Sequence, residues 1–308
     1  MTGATPTIDP SASDIPKGEW VDRYAPAAVR PYLRLARLDR PIGTWLLLFP
    51  CWWGVALATP GLPSLWLMAL FGIGAIVMRG AGCTYNDIVD RDFDARVART
   101  ADRPIPSGRV TVRQAIAFLV FQALLGLAIL LQLSATAIGL GVLSLVLVFI
   151  YPLMKRVTWW PQFFLGPAFN WGALMGPAAV LDALPAWSFV LYLGGIFWTL
   201  GYDTIYAHQD KEDDALVGVK SSARRLGAHT RTALCVFYGG AIVLFGIAGQ
   251  MAGLSWPFQT GLIAGATQLA WQIAAIDIDN PADCLRMFKS NRVFGWIMLV
   301  AIVLGHLV

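Results

Sequence analysis

Charge is scarce in this sequence: Asp, Glu, Lys and Arg make up 14% of its 308 residues, against 57% hydrophobic ones. A soluble chain of that length needs far more charge to cover its surface, which excludes a water-soluble globule. Cysteine is sparse as well. The four, Cys51, Cys83, Cys235 and Cys284, lie scattered in or beside apolar stretches with no CxxC pair. That spacing excludes a disulfide framework and leaves them as small core residues. Met1 to Glu19 lack a basic run followed by an apolar one, so no cleavable signal peptide is read there and a flexible tail is expected. The net charge of +4 does not indicate nucleic acid. The basic residues sit in short loops between apolar spans, where they meet anionic lipid headgroups or an anionic substrate.

What the sequence has in abundance is apolar stretches close to the ~20 residues that cross a hydrocarbon core. They fall at 42–59, 64–86, 114–133, 136–153, 160–180, 187–207, 231–251, 257–277 and 292–308. The expected fold is all-α, a polytopic membrane bundle of about nine transmembrane helices. Residues 1–33 are read as a flexible or amphipathic amino-terminal segment and 34–308 as one transmembrane domain. Loops near 60, 134, 184 and 254 contain no Lys or Arg, whereas the loops that alternate with them are basic. This alternation places the amino terminus and the basic loops on the cytoplasmic side.

The second span runs into Tyr85-Asn86-Asp87-Ile88-Val89-Asp90-Arg91-Asp92-Phe93-Asp94. Asn86, Asp90 and Asp94 recur every four residues, so a continuing helix puts them on one stripe, with Asp87 off it. Like charges on one face destabilise a bare helix unless a multivalent cation neutralises them. Asp and Asn oxygens are hard ligands suited to Mg²⁺, which keeps waters and bridges to phosphates. The competing explanation is a solvated helix end balanced by Arg91, Arg96 and Arg99. A second cluster follows the sixth span, with Asp203, Asp210 and Asp214 at spacings of seven and four. The topology brings it to the same membrane side. Two acid stripes at one end of a bundle suit divalent ions over a diphosphate, and Tyr151, Lys155 and Arg156 on that side supply phosphate contacts.

These residues resemble the UbiA superfamily of intramembrane prenyltransferases over nearly the whole chain after about residue 33. The family's NDxxDxxxD and DxxxD motifs stand here as Asn86-Asp87-x-x-Asp90-x-x-x-Asp94 and Asp210-x-x-x-Asp214. Further matches are Arg37-Leu38-Asp39-Arg40-Pro41, Arg99-Thr100-Ala101-Asp102-Arg103-Pro104 and Tyr151-Pro152-Leu153-Met154-Lys155-Arg156. The run Tyr202-Asp203-Thr204-Ile205-Tyr206-Ala207 looks like the 4-hydroxybenzoate branch. Tyr85 departs from members that carry Arg at that position.

The resemblance implies polyprenyl diphosphate and 4-hydroxybenzoate as substrates, in ubiquinone biosynthesis, with Mg²⁺ held by Asn86, Asp87, Asp90, Asp94, Asp210 and Asp214. Asp90, Asp94, Asp210 and Asp214 would be catalytic, and Asp203 part of the substrate site. Mg²⁺ would stabilise charge on the departing diphosphate, and the ring carbon ortho to the hydroxyl would attack the allylic carbon. Trp45, Trp52, Trp53, Phe163, Phe164 and Trp171 are candidates to shield the cation, or else lipid-facing residues. Arg37 and Arg40 are candidates for the benzoate carboxylate, or else anchors of the span end. Asn170 lines the cavity or links helices. His208 is read as structural, since the final ring proton needs no strong base. The loops after the second and sixth spans are expected to act as lids. A different acceptor (haem, homogentisate or a naphthoate) and a secondary transporter are the rival readings. Transporters place their acids near the midplane, not at span ends. Membrane lipid is the expected surrounding. The lack of an Arg/Ser-rich presequence points to a bacterial inner membrane.

Overall fold

The computed structural model describes residues 14–16, 18–97, 99–211, 218 and 220–308, and the side chains of Lys155 and Asp210 also lie outside the described set. Every regular element among the described residues is helical. Two short helices, α1 (Trp20–Tyr24) and α2 (Arg30–Leu35), precede α3 (Ile42–Ala58), α4 (Leu65–Asp94), α5 (Val112–Leu130) and α6 (Ala135–Val157). Then come α7 (Gln162–Asn170), α8 (Gly172–Leu181), α9 (Ala186–Ala207) and α10 (Ser222–Leu226). The last three are α11 (Thr230–Met251), α12 (Trp256–Ala275) and α13 (Pro281–Leu307).

Five stretches are long and apolar enough to cross a bilayer: α4, α5, Ala135–Met154 of α6, Ser222–Met251 containing α11, and α13. The other predicted spans fall on helices that are shorter (α3), interrupted (α7 with α8) or less apolar (α9 and α12). Large apolar side chains stay exposed along several helices, among them Val120 and Leu124 of α5, Val142, Val146 and Phe149 of α6, and Val243 of α11. Continuous apolar faces of this kind need lipid, not water, around them. The fold is an integral-membrane helical one.

The chain forms two compact units, 1–41 with 76–127, and 42–75 with 128–308. In the larger unit, α9 packs on α11 and α7, α13 on α3 and α12, and α8 on α3. Trp53 is the centre of its core, stacked on Phe49 and in edge or tilted contact with Trp198, Phe245 and Phe294. Its Nε1 donates to Gly295 O at 3.0 Å. The α3–α8 crossing depends on small residues: a Cβ on Gly176 would meet Val55 N at 2.6 Å and Cys51 O at 2.7 Å. Backbones in lipid gain from such close approach, because packing replaces the hydrophobic effect as the driving force.

The predicted span at 160–180 is two helices. Tyr192 Oη donates to Pro167 O at 3.2 Å, the carbonyl that the amide of Trp171 would take in an unbroken helix. Asn170 Nδ2 donates to Gly166 O at 2.8 Å and competes for the previous carbonyl. Loops expected to share a side are joined within this unit. Asp182, the one acid on the non-basic side, accepts from Thr136 N at 2.9 Å and caps the start of α6. Ser255 Oγ donates to Gly305 O at 2.8 Å on the same predicted side. On the basic side, Arg231 donates to Ile276 O at 2.8 Å and Lys220 to Val157 O at 3.0 Å.

The smaller unit has its own core of Leu35, Ile105, Val110 and Ala115. Tyr32 packs edge-on against Phe118 beside it. The expectation of a flexible tail does not extend to its described end. Ile15 is buried, and Asp14 N donates to Arg99 O at 2.9 Å.

Candidate active site

In the smaller unit, α4 continues without a break to Asp94, so Asn86, Asp90 and Asp94 do recur on one helical stripe. Asn86 is half-buried, whereas Asp90 and Asp94 are buried. The helix ends there, and the carbonyl that its last residue leaves open, Asp94 O, accepts from Thr100 Oγ1 at 2.9 Å.

Around this stripe lies a buried network of guanidinium and carboxylate groups. Arg37 Nη2 donates to Asp87 Oδ1 at 2.7 Å, and Arg37 Nη1 to Arg34 O at 2.8 Å. The backbone of Arg37 takes a left-handed φ of 55°, which turns the chain between α2 and α3 at some cost for an L side chain. Arg103 Nη1 lies 2.9 Å from Asp94 Oδ2 and 3.4 Å from Asp87 Oδ1. Its Nη2 and Nε reach Asp14 Oδ2 at 2.9 and 3.2 Å. Arg40 Nη1 also approaches Asp14 Oδ2, at 3.1 Å. Burial alone would push the Asp14 carboxyl up, but Arg103, Arg40, Arg37 and Arg99 outweigh it and hold the group well below the usual carboxylate range. For Arg37 and Arg103 burial would favour the neutral form. Asp87 in the first case, and Asp14, Asp87 and Asp94 in the second, reverse that and keep both charged.

Two sequence expectations change here. Arg37 is committed to Asp87 rather than offered to a substrate carboxylate, and Arg40 already holds a carboxylate, that of Asp14. Asp87, off the main stripe, is an internal ion-pair partner through Oδ1, although its buried Oδ2 has no hydrogen-bond partner. Asp14 and Arg103 were not among the expected site residues. Arg103 stands in the Arg-Thr-Ala-Asp-Arg-Pro run, whose arginines were the available signal. The loop that carries it, expected as a lid, is tied down by Asp14 and Asp94.

In the larger unit, Asp203 is half-buried near the end of α9. Asp210 lies in a tightened turn, His208–Asp210, of the 3-10 type. Each residue of such a turn rotates further about the axis than in an α-helix, so Asp210 is turned relative to the α-helical position seven residues after Asp203. Asp214 lies outside the described residues, as do the side chains of Asp210 and Lys155. Tyr151 is half-buried and Arg156 exposed, both on α6. The loop after the second acidic cluster is fastened beside that helix end by the Lys220–Val157 bond and by Ser222 N donating to Gln162 Oε1 at 3.4 Å.

Asn170 is fully buried and its Nδ2 donates to Thr199 Oγ1 at 2.7 Å, so it links α7 to α9, with Oδ1 left unpartnered. His208 is buried and bonded to Thr230 Oγ1 at 3.0 Å. Burial first, and then the charge of Lys211, push it down to about 4, which suits a structural rather than a basic role. Of the expected aromatic shield, Trp53 belongs to the dry core, Trp52 and Trp171 donate to carbonyls of Met68 and Leu140, and Phe163 is exposed.

Among the described residues no three His, Cys, Asp or Glu side chains come together as a ready metal cage. The donor chemistry nevertheless fits a hard cation. The motif offers oxygen ligands only, from Asn86, Asp90 and Asp94, and the buried Asp87 Oδ2 lacks a partner. Mg²⁺ suits such an incomplete set, since it retains waters and takes further oxygens from a bound phosphate.

A helical chain with bilayer-length apolar stretches is an integral membrane protein, and a buried network of acids and guanidiniums lies at the end of its α4. Residues 47–300 match the model of the UbiA prenyltransferase family. The mitochondrial 4-hydroxybenzoate polyprenyltransferase of Arabidopsis thaliana is 53% identical over 295 residues, which are 95% of this chain and 72% of that one. The chain belongs to the UbiA prenyltransferase family. Its fold is similar to that of the apo UbiA homolog from Aeropyrum pernix K1, with a TM-score of 0.70 at 24% identity over 85% of this chain and 97% of the other. It is also similar to that of the Archaeoglobus fulgidus homolog bound to GPP and Mg²⁺, with a TM-score of 0.64 at 16% identity, covering 88% and 99% of the two chains.

Proposed function

We propose that this protein transfers a polyprenyl group from polyprenyl diphosphate to the carbon ortho to the hydroxyl of 4-hydroxybenzoate, a step of ubiquinone biosynthesis. The 53% identity to the Arabidopsis enzyme across 95% of the chain is the observation that carries this reading. The catalytic domain is taken to be residues 34–308.

We assign both acidic motifs, Asn86 to Asp94 and Asp210 to Asp214, to diphosphate binding through Mg²⁺. When bound, Mg²⁺ neutralises charge on the leaving diphosphate. Asp90 and Asp94 supply oxygens from the helical stripe, and the Arg37–Asp87 ion pair holds that stripe in register. Tyr151, Lys155 and Arg156 contact phosphate oxygens from the end of α6. Asp203 is assigned to the substrate site. Asp87 is assigned to positioning the helix, and Asn170 to joining α7 with α9. Arg40 is kept as a carboxylate-holding group. The location proposed is an integral membrane one with the polar end on the basic-loop side. The expectation of a bacterial inner membrane has no support from the Arabidopsis relative, which is named as mitochondrial.

The test is incubation of purified protein with geranyl diphosphate, 4-hydroxybenzoate and Mg²⁺, with product read by mass spectrometry. Prenylated product is expected from the wild type. It should be lost with EDTA and reduced about 100-fold or more in Asp90→Ala and Asp210→Ala, the range seen when charge stabilisation is removed. Cleavage of the diphosphate without prenylation of 4-hydroxybenzoate would refute the acceptor and retain the donor site.

A further inference from the structure

Asp14 lies far from the acidic motif in sequence, yet one guanidinium joins them. Arg103 divides its donors: Nη1 serves Asp94 Oδ2 at 2.9 Å and Asp87 Oδ1 at 3.4 Å, while Nη2 and Nε serve Asp14 Oδ2 at 2.9 and 3.2 Å. Arg40 at 3.1 Å and Arg99 at 3.8 Å converge on the same Asp14 oxygen. Among the described residues the network joins the guanidiniums of Arg37, Arg40, Arg99 and Arg103 with the carboxylates of Asp14, Asp39, Asp87 and Asp94. Removing the Asp14 charge takes away the partner of Arg103 Nη2 and Nε. Arg103 is then free to turn both arms of its planar fork onto Asp94.

We propose that Asp14 is a positioning residue for the acidic motif: by holding half of the Arg103 guanidinium, it keeps Asp94 available to a divalent cation. This rests on the reading of the motif as a site for metal-bound diphosphate. A carboxylate gripped bidentately by Arg has fewer lone pairs and less basicity to give a cation. Asp14 thus sets how strongly the motif is held by its own arginines.

The experiment is a titration of the full-length protein in detergent with Mn²⁺, in the presence of a non-reacting thiolodiphosphate analogue of geranyl diphosphate. Free Mn²⁺ is read by electron paramagnetic resonance. The wild type should bind Mn²⁺ and Asp90→Asn should not. Asp14→Asn should raise the half-saturating Mn²⁺ by about tenfold, as for other losses of outer-shell support. Asp14→Glu should stay near the wild type, and Ile15→Ala, which loosens the same segment without removing charge, should bind as the wild type does. Should Asp14→Asn fold poorly, the charge-balanced pair Asp14→Asn/Arg103→Gln decides. Without a guanidinium to capture Asp94, it should recover most of the metal affinity. Unchanged binding by Asp14→Asn, equal weakening by Ile15→Ala, or no recovery in the double variant would overturn the proposal alone. Failure of the wild type to bind, or normal binding by Asp90→Asn, would overturn the metal reading together with it.

Discussion

Replacing Arg37 by Met removes a charge and keeps the aliphatic stem, so it isolates the Arg37–Asp87 ion pair. The Arg37 and Asp87 side chains are 8% and 0% exposed, which places the pair among buried ones whose breaking costs about 3–5 kcal/mol. Arg103 offers partial compensation. It stands at 3.4 Å from Asp87 and already serves Asp94 at 2.9 Å, so the loss should fall near the lower limit, about 3 kcal/mol. The assay is equilibrium unfolding in mixed micelles with increasing dodecyl sulfate, followed by circular dichroism. Removing both charges in Arg37→Met/Asp87→Leu should restore much of the loss, because no orphaned carboxylate then remains. Arg109, paired with Asp102 at the surface with about a third of its side chain exposed, is the control. Arg109→Met should lie within about 0.5 kcal/mol of the wild type. An Arg37→Met variant as stable as the control, or a double variant no better than the single one, would refute the reasoning.

His208, held down to about 4 from an ordinary 6.5, is neutral in the folded protein at neutral pH. Its folded value lies below its unfolded one, so its contribution to stability is complete above about 6.5 and is lost as pH falls from there towards 4. Thermal stability of the wild type should decline in that window more steeply than that of His208→Gln, and the transfer rate should show no inflection attributable to His208. Gly176→Leu should prevent assembly of a stable protein, because its Cβ alone meets Val55 N at 2.6 Å, and backbone atoms cannot yield. Gly139→Ala, with nothing within 4 Å of its Cβ, should be neutral or slightly stabilising in the same unfolding assay.

The membrane-spanning helices were legible because apolar length and loop charge are read directly from composition, and the acidic stripe because α4 keeps its period through Asp94. The break between α7 and α8 was not. It coincides with Tyr192, a residue distant in sequence, donating to the Pro167 carbonyl. The tightened turn at His208–Asp210, which rotates Asp210 relative to Asp203, was not legible in the spacing either. The partners of the arginines were the largest gap. Spacing shows that Arg37 and Arg40 adjoin a span, but only the fold shows that they meet Asp87 and Asp14 instead of presenting free charges. Asp14 itself stood in a segment whose composition gave no apolar pattern to follow, and the four guanidiniums that keep it ionised lie elsewhere in the chain.

The central claim is a carbon–carbon bond formed ortho to the phenol, and ring-deuterated acceptor tests it most directly. The purified protein would be given geranyl diphosphate, Mg²⁺ and 4-hydroxybenzoate carrying deuterium at both positions ortho to the hydroxyl. The account predicts a prenylated product that has lost one of the two deuterium atoms, as electrophilic substitution at that carbon requires. A product retaining both, with the prenyl group on the phenol or carboxylate oxygen, would contradict it.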